Sequence, residues 1–271
     1  MKLCLITDKP DFASEAERAG VARIMLDLEK VGKLQRQRGR DLFLSDHVLE
    51  SVARMKAALE TAAVVVRINP LTQASDEEID AVVEARADFI MLPYFHTLHE
   101  VRGFLSLVRG RSKTTLLVET KSAIEMLPEI LEESGVDEIH IGLNDLSISL
   151  GHKSIFEPLS NGIIDNASAL LLKKGTPFGF GGIARLTERG LPVDPERVLA
   201  EQVRLGASIG WLGRTFRGEM ETRRSPGELE GEIKLIHKAV DKWAGASEKE
   251  FVQNRKALIK EVERWAVTAN V

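Results

Sequence analysis

A closed (β/α)8 barrel of the TIM type is the α/β fold this sequence predicts, on three observations. Eight short apolar runs recur along the chain, each stopping at polar or charged residues and followed by a helix-like segment. Four of the runs end on a constant step, because Arg67, Pro93, Glu119 and Asp145 lie 26 residues apart. That step is about one strand, one helix and two short loops. The chain has 271 residues, and barrels of this kind commonly fill roughly 250 as one unit. Eight units within the first ~220 residues favour closure over an open doubly wound sheet.

The predicted strands, in order, are Lys2–Thr7, Ala22–Leu28, Ala62–Ile68, Asp88–Pro93, Thr114–Glu119, Asp137–Leu143, Pro177–Ile183 and Ala207–Gly213. Most are rich in Val, Ile or Leu without strict alternation, the pattern of strands buried on both faces. Between them Ser75–Ala85, His99–Val108 and Ser122–Ser134 read as amphipathic helices, the first opening on a capping box formed by Ser75 and Glu78. The spacing divides the chain into a barrel over residues 1–225 and a helical extension over 226–271, split at Gly245-Ala246-Ser247. Within the extension, Lys249–Val267 carries an apolar stripe of Phe251, Ala257, Leu258, Val262, Trp265 and Ala266. A barrel already ringed by eight helices predicts that this stripe packs on a neighbouring subunit, as a swapped terminal helix of a homo-oligomer.

Composition excludes several classes. With 44% hydrophobic residues the chain can bury a large core, so bulk disorder is ruled out. Lys and Arg number 37 against 41 Asp and Glu, a net charge of −4, so no general basic field exists for nucleic acid or membrane. Cys4 is the single cysteine, which fits a reducing compartment. No run approaches the ~20 apolar residues of a membrane span, and the N-terminal run is too short for a signal peptide. A cytoplasmic protein is expected.

Barrel geometry gathers all strand C-termini on one face, where barrel enzymes carry their sites. Arg67, Glu119 and Asp145 therefore become neighbours at one rim, the two acids on adjacent strands. Two carboxylates without a cation repel, and a hard divalent ion relieves them. Equally, Asp145 can cap the helix that follows, and Glu119 can pair with Lys121 or an arginine. Arg67 offers a planar two-pronged donor for a carboxylate ligand, or a structural ion pair across the mouth.

Arg67-Ile68-Asn69-Pro70, Leu92-Pro93, Val118-Glu119-Thr120-Lys121-Ser122-Ala123 and Gly142-Leu143-Asn144-Asp145-Leu146-Ser147, with Leu150-Gly151, occur in order and at matching separations. Over roughly residues 1–220 the chain resembles the HpcH/HpaI aldolase and citrate lyase beta-subunit family, and Asp27-Leu28-Glu29 is similar to its citrate lyase branch. The resemblance implies a (β/α)8 barrel that makes or breaks carbon–carbon bonds through a pyruvate-type or acyl enolate held on Mg²⁺ or Mn²⁺, a class II, metal-dependent aldolase or lyase. It implies that Glu119 and Asp145 ligate the metal, that Arg67 holds the enolate oxygen, and that backbone amides around Gly142, Leu143, Asn144 and Asp145 receive the substrate carboxylate. The substrate would be a 2-oxo acid or an acyl-coenzyme A, and the assembly a trimer or hexamer. The alternatives are an acyl-CoA lyase subunit similar to citrate lyase beta and a non-catalytic ligand-binding barrel. A Schiff-base aldolase would need Lys121 or Lys30 as its amine.

The chain departs from the family pattern at Lys30, where the citrate lyase branch usually carries a second acid. Asp27, Glu29 and His47 are then the candidates for proton transfer, His47 having the best-matched pKa, though a capping role beside Ser45-Asp46 fits it too. The basic run Arg36, Arg38 and Arg40 reads as a solvated loop or as a screen for an anionic substrate. It lacks the aromatic partners of a nucleic-acid surface. Gly179-Phe180-Gly181-Gly182-Ile183 offers either a phosphate-binding strand end or tight packing. Trp211 and Phe216 read as core, and Arg214 as a residue of the mouth.

Overall fold

Consecutive β-branched and aliphatic residues build most of the eight strands, one on each predicted run, with β5 starting one residue early at Lys113. These are β1 (Lys2–Ile6), β2 (Arg23–Asp27), β3 (Ala63–Arg67), β4 (Phe89–Leu92), β5 (Lys113–Val118), β6 (Glu138–Ile141), β7 (Phe178–Ile183) and β8 (Ile209–Leu212). The computed structural model describes residues 1–32, 45–222 and 224–268. All eight strands are parallel and pair in chain order, and β1 closes the barrel on β8. The register shifts once, between Phe180 and Ile183 on β7.

The period of two that the sequence hides is present in the packing. On β2, Ile24 and Leu26 join the core under the outer helices while Met25 faces the barrel interior, and β3 repeats this with Val64, Val66 and Val65. Both faces are dry, so both sets are apolar. The interior also holds a charged pair that sequence reasoning missed. Arg23 donates through Nη1 to both oxygens of Glu138, at 2.6 and 2.7 Å, and Thr115 donates to the same carboxylate at 2.7 Å. The Phe89 ring lies 4.2 Å from that guanidinium. Arg23, Phe89 and Glu138 each open their strand, so this cluster plugs the end of the barrel away from the predicted site. Nearby Cys4 is fully buried, which pushes its thiol pKa well above the ordinary range.

The crossovers contain α1 (Pro10–Ala19), α2 (Glu50–Ala58), α3 (Ser75–Glu84) and α4 (Leu98–Val108). Two local expectations are corrected here. Ser75 is the first residue of α3 rather than its cap, its hydroxyl accepting from the Thr72 amide at 2.8 Å. Glu78 instead accepts from both the backbone and the side chain of Asn69, whose Oδ1 in turn takes the amides of Lys30 and Val31. This ties the end of β3 to the chain leaving β2. A true capping box sits at Thr97 and Glu100, ahead of α4. The single helix expected over Ser122–Ser134 is two short ones, α5 (Lys121–Glu125) and α6 (Leu127–Ile130), with Pro128 starting the second.

After β6 come α7 (Leu143–Ser149), α8 (Glu157–Ser160) and α9 (Ile163–Lys174); α10 (Pro195–Arg204) follows β7, and α11 (Arg214–Thr222) follows β8. The chain then forms α12 (Glu228–Ala244) and α13 (Glu248–Thr268), the latter against α10 and α8. Two residues of the terminal stripe, Leu258 and Val262, are buried within this chain, while Phe251, Ala257, Trp265 and Ala266 are half-buried. The helix α13 packs on the outer face of α10. Glu201 of α10 is fully buried and accepts from Arg204 and from Arg255 of α13, at 2.7 and 3.0 Å. Arg255 also pairs with Asp165 at 2.8 Å, and Arg197 with Glu261 at 2.9 Å. Among the described residues no helix is long and apolar enough to cross a membrane.

One interior residue makes folding sensitive to acid. His140 lies on β6 with its ring 4.3 Å from that of Trp211. Burial first, then the charges of Arg67 and Arg23, lower its pKa from 6.5 to about 3. The unfolded chain therefore binds a proton here that the fold refuses, so this stability is full above 6.5 and is lost as the pH falls. Between neutral pH and pH ~5 the loss should reach about 2 kcal/mol. Denaturant titrations across that range should show His140→Phe with a shallower pH slope than the parent protein. Equal slopes would mean that His140 charges freely in the fold.

Candidate active site

A cavity of about 680 Å³ opens at the C-terminal ends of the strands. Its polar wall takes Asp27 from β2, Arg67 from β3, Glu119 from the end of β5, and Asn144 and Asp145 from the first turn of α7. The regular step in the sequence thus places three of its four residues, Arg67, Glu119 and Asp145, on one wall.

Arg67 is held in place. Its Nε and Nη2 donate to the two oxygens of Asp27 at 2.8 and 2.7 Å, and Glu29 lies 3.4 Å from Nε. Burial works against its charge, yet Asp27, Glu29 and Glu119 together drive its pKa above the ordinary arginine range, so it stays cationic. The fork spends one edge of the guanidinium on Asp27. Among the described residues, Nη1 has no partner.

Glu119 is buried, and its Oε1 accepts from the Tyr94 amide at 3.0 Å. Tyr94 reaches that geometry with φ +48°, a left-handed conformation that a non-glycine residue adopts at a cost. Sequence reasoning missed this residue, and its one signal was its place after Leu92-Pro93 in the step. Gly142 makes room for the same carboxylate, since a Cβ there would lie 2.8 Å from the Glu119 Cβ and 2.9 Å from Oε2. Its amide donates to Val118 at 3.0 Å and continues the sheet. Gly142 therefore contributes its missing side chain rather than an anion-binding N–H, and the amide donors implied there reduce to Leu143, Asn144 and Asp145. Asn144 donates weakly to Asp145, at 3.4 Å.

Of the three proton-transfer candidates, only Asp27 lines the cavity. Glu29 sits beside Arg67, its amide donating to Asp27 at 3.2 Å. His47 is buried, its Nδ1 accepting from the Asp27 amide at 2.9 Å and its Nε2 lying 3.7 Å from Asp8. Burial lowers its pKa against the pull of Asp8 and Asp27, so the ring is neutral near pH 7 and fixes the end of β2. Lys121 is largely exposed and 3.9 Å from Glu125, and no lysine among the described residues lines the cavity. The basic run Arg36, Arg38 and Arg40 lies outside the described residues.

The inner end of the cavity was not foreseen as site. Trp265 reaches the cavity from α13 of the same chain, its ring 6.0 Å from that of Phe156. Trp211 and His140 line the inner end among Ile6, Met25 and Leu117, whereas Phe216 is plain core. Arg214 lines the mouth, as expected. The glycine run on β7 divides its roles: a Cβ at Gly179 would strike the Ile209 carbonyl at 2.0 Å, a packing requirement, while one at Gly181 would meet nothing within 4 Å.

No group of three or more His, Cys, Asp or Glu side chains converges at metal-binding spacing among the described residues. The donor set is two carboxylates, and it fits a hard ion such as Mg²⁺, which typically takes one or two carboxylates and completes its sphere with water and substrate oxygens.

Solved structures similar to this one have the same barrel. An HpcH/HpaI aldolase from Desulfitobacterium hafniense matches with a TM-score of 0.59 at 16% identity, covering 91% of this chain and 94% of the other. An HpcH/HpaI aldolase/citrate lyase family protein from Burkholderia cenocepacia matches at 0.57 and 15%, covering 89% and 93%. A citrate synthase variant, SbnG, matches at 0.57 and 15%, covering 90% and 95%. At such identities the likeness concerns the fold alone. No curated protein sequence matches this one. The family model for HpcH/HpaI aldolase/citrate lyase matches residues 2–160, which span β1 to β6 and include Asp27, Arg67, Glu119, Asn144 and Asp145, and the chain belongs to that family.

Proposed function

We propose that this protein is a divalent-metal-dependent carbon–carbon lyase or aldolase that works through the enolate of a 2-oxo acid. The observation that carries the reading is the single wall shared by Arg67, Glu119 and Asp145. Glu119 and Asp145 would hold Mg²⁺ or Mn²⁺, which when bound supplies a Lewis acid for the oxygens of the 2-oxo acid. Arg67, fixed by Asp27, offers its remaining donors to the oxygen on which charge develops, and a donor already in place needs no reorganisation. The first-turn amides of α7 face the substrate carboxylate. Asp27 is the candidate base that shares the cavity. An acyl-coenzyme A substrate is the second reading, favoured by the apolar wall of Phe156 and Trp265.

Enolate formation can be read without knowing the acceptor. In D₂O with Mn²⁺, the methyl protons of pyruvate should exchange on addition of the protein, followed by proton NMR, and a chelator should stop the exchange. No exchange with either metal would reject the enolate reading. Asp145→Ala should lose Mn²⁺ affinity by calorimetric titration, and unchanged affinity would remove the metal assignment. Arg67→Lys keeps a cation for Asp27 but loses the fork. It should slow the exchange about 100-fold, about 3 kcal/mol, while melting within a few degrees of the parent. A variant that melts far lower yet exchanges at the parent rate would reduce Arg67 to a structural ion pair.

For assembly we propose a homo-oligomer, a trimer or hexamer, on the family resemblance alone. Light scattering on the full chain should give a multiple of the subunit mass, and a monomer at working concentrations would reject it.

A further inference from the structure

Two polar groups at the floor of the cavity have no hydrogen-bond partner among the described residues: Nδ1 of His140 and Nε1 of Trp211. Both residues are more than nine-tenths buried, at 8% and 5% exposure, and both line the cavity. Buried polar groups are matched in the great majority of cases, so a pair left open at one spot asks for an explanation. Their closeness is built into the barrel. His140 on β6 and Trp211 on β8 are separated by β7, where Phe178 and Phe180 belong to the outer core. The alternate positions, Gly179 and Gly181, present no side chain between the rings, which meet at 4.3 Å with planes tilted by 46°.

The chemistry of the missing partner follows from the groups present. An indole N–H only donates, and a neutral imidazole has one donor and one acceptor nitrogen. The two guanidinium groups whose charges act on His140 are already ion-paired, Arg67 with Asp27 and Glu29, and Arg23 with Glu138. An anion there would lose its water without gaining a cation. A hydroxyl group fits: its oxygen accepts from Trp211 while its proton can go to His140. Around it Ile6, Met25 and Leu117 line the cavity with apolar surface that suits the carbon bearing a hydroxyl.

We propose that His140 and Trp211 form a subsite for an uncharged hydroxyl of the substrate, making the substrate a hydroxylated carbon chain with its acid end at the rim. This rests on the reading of the cavity as a 2-oxo acid site, and it adds what the floor selects. The low pKa of His140, about 3, agrees with it, because the ring stays neutral throughout the physiological range.

Calorimetric affinities for pyruvate, hydroxypyruvate and the uncharged glyceraldehyde, each with Mn²⁺ present, test the two readings separately. The parent protein should bind hydroxypyruvate about tenfold more tightly than pyruvate. In Trp211→Phe, and independently in His140→Phe, that ratio should fall to near one. The second variant carries the test if the first does not fold. Equal affinity of the parent for both acids, or a ratio that survives in a folded variant, overturns the subsite and leaves the 2-oxo acid reading standing. Binding of glyceraldehyde that depends on Trp211, with neither acid bound, keeps the subsite and rejects the 2-oxo acid. If none of the three binds, both fall.

Discussion

Closure of β1 on β8 governs where charge can reside in this protein. Eight parallel strands buried on both faces leave no edge and no wet side, so polar side chains inside the barrel can be satisfied only by one another or at the two ends. At the lower end Arg23 and Glu138 meet that demand as a forked pair, with Thr115 on the same carboxylate. At the upper end Asp27 and Arg67 form a second fork. The two ends differ in what surrounds them. The lower pair is covered by Phe89 and closes the barrel. The upper one shares a cavity with Glu119 and Asp145, so one arginine edge and two carboxylates face a space that a ligand can enter.

Glu119 shows how much local backbone is committed to one side chain. Tyr94 holds a left-handed conformation and donates its amide to Oε1, while Gly142 on the next strand gives up a side chain that would collide with the same carboxylate. Neither feature serves folding in an obvious way. Strained backbone persists where the surrounding structure imposes it, and such positions cluster at functional sites. A carboxylate gripped from one side and cleared on the other is oriented before any ligand arrives.

The fold was legible because barrel units repeat. The 26-residue step from Arg67 to Asp145 carries both the strand spacing and the rim position, and one pattern therefore reported architecture and site together. Contacts between distant elements left no such trace. Nothing in the spacing of α13 says that Glu201 on α10 would anchor Arg255, or that Leu258 and Val262 would be buried within the same chain while Trp265 reaches the cavity. The capping box read at Ser75 failed for a related reason: Glu78 was taken by Asn69, a residue outside the local window. His140 and Trp211 were read as strand and core, and they are both. Their role at the cavity depends on the two inward glycines of β7, which only the alternation of the folded strand reveals.

Arg67 was open to two readings, an ion pair or a ligand donor, and the geometry removes the opposition between them. An arginine without Asp27 would have several rotamers and would need to be ordered by each incoming ligand. Forked to a carboxylate that is itself only 1% exposed, the guanidinium is fixed along one edge, with Nη1 on the other. Asp27 and Glu29 also offset the charge of Arg67 at the cavity wall. His47 extends the same logic one step outward, since its ring accepts the Asp27 amide and sets the strand end from which the carboxylate projects. Under the proposed enolate chemistry, a donor held this way would already be aligned when negative charge develops on a bound oxygen, its orientation being set when the barrel folds.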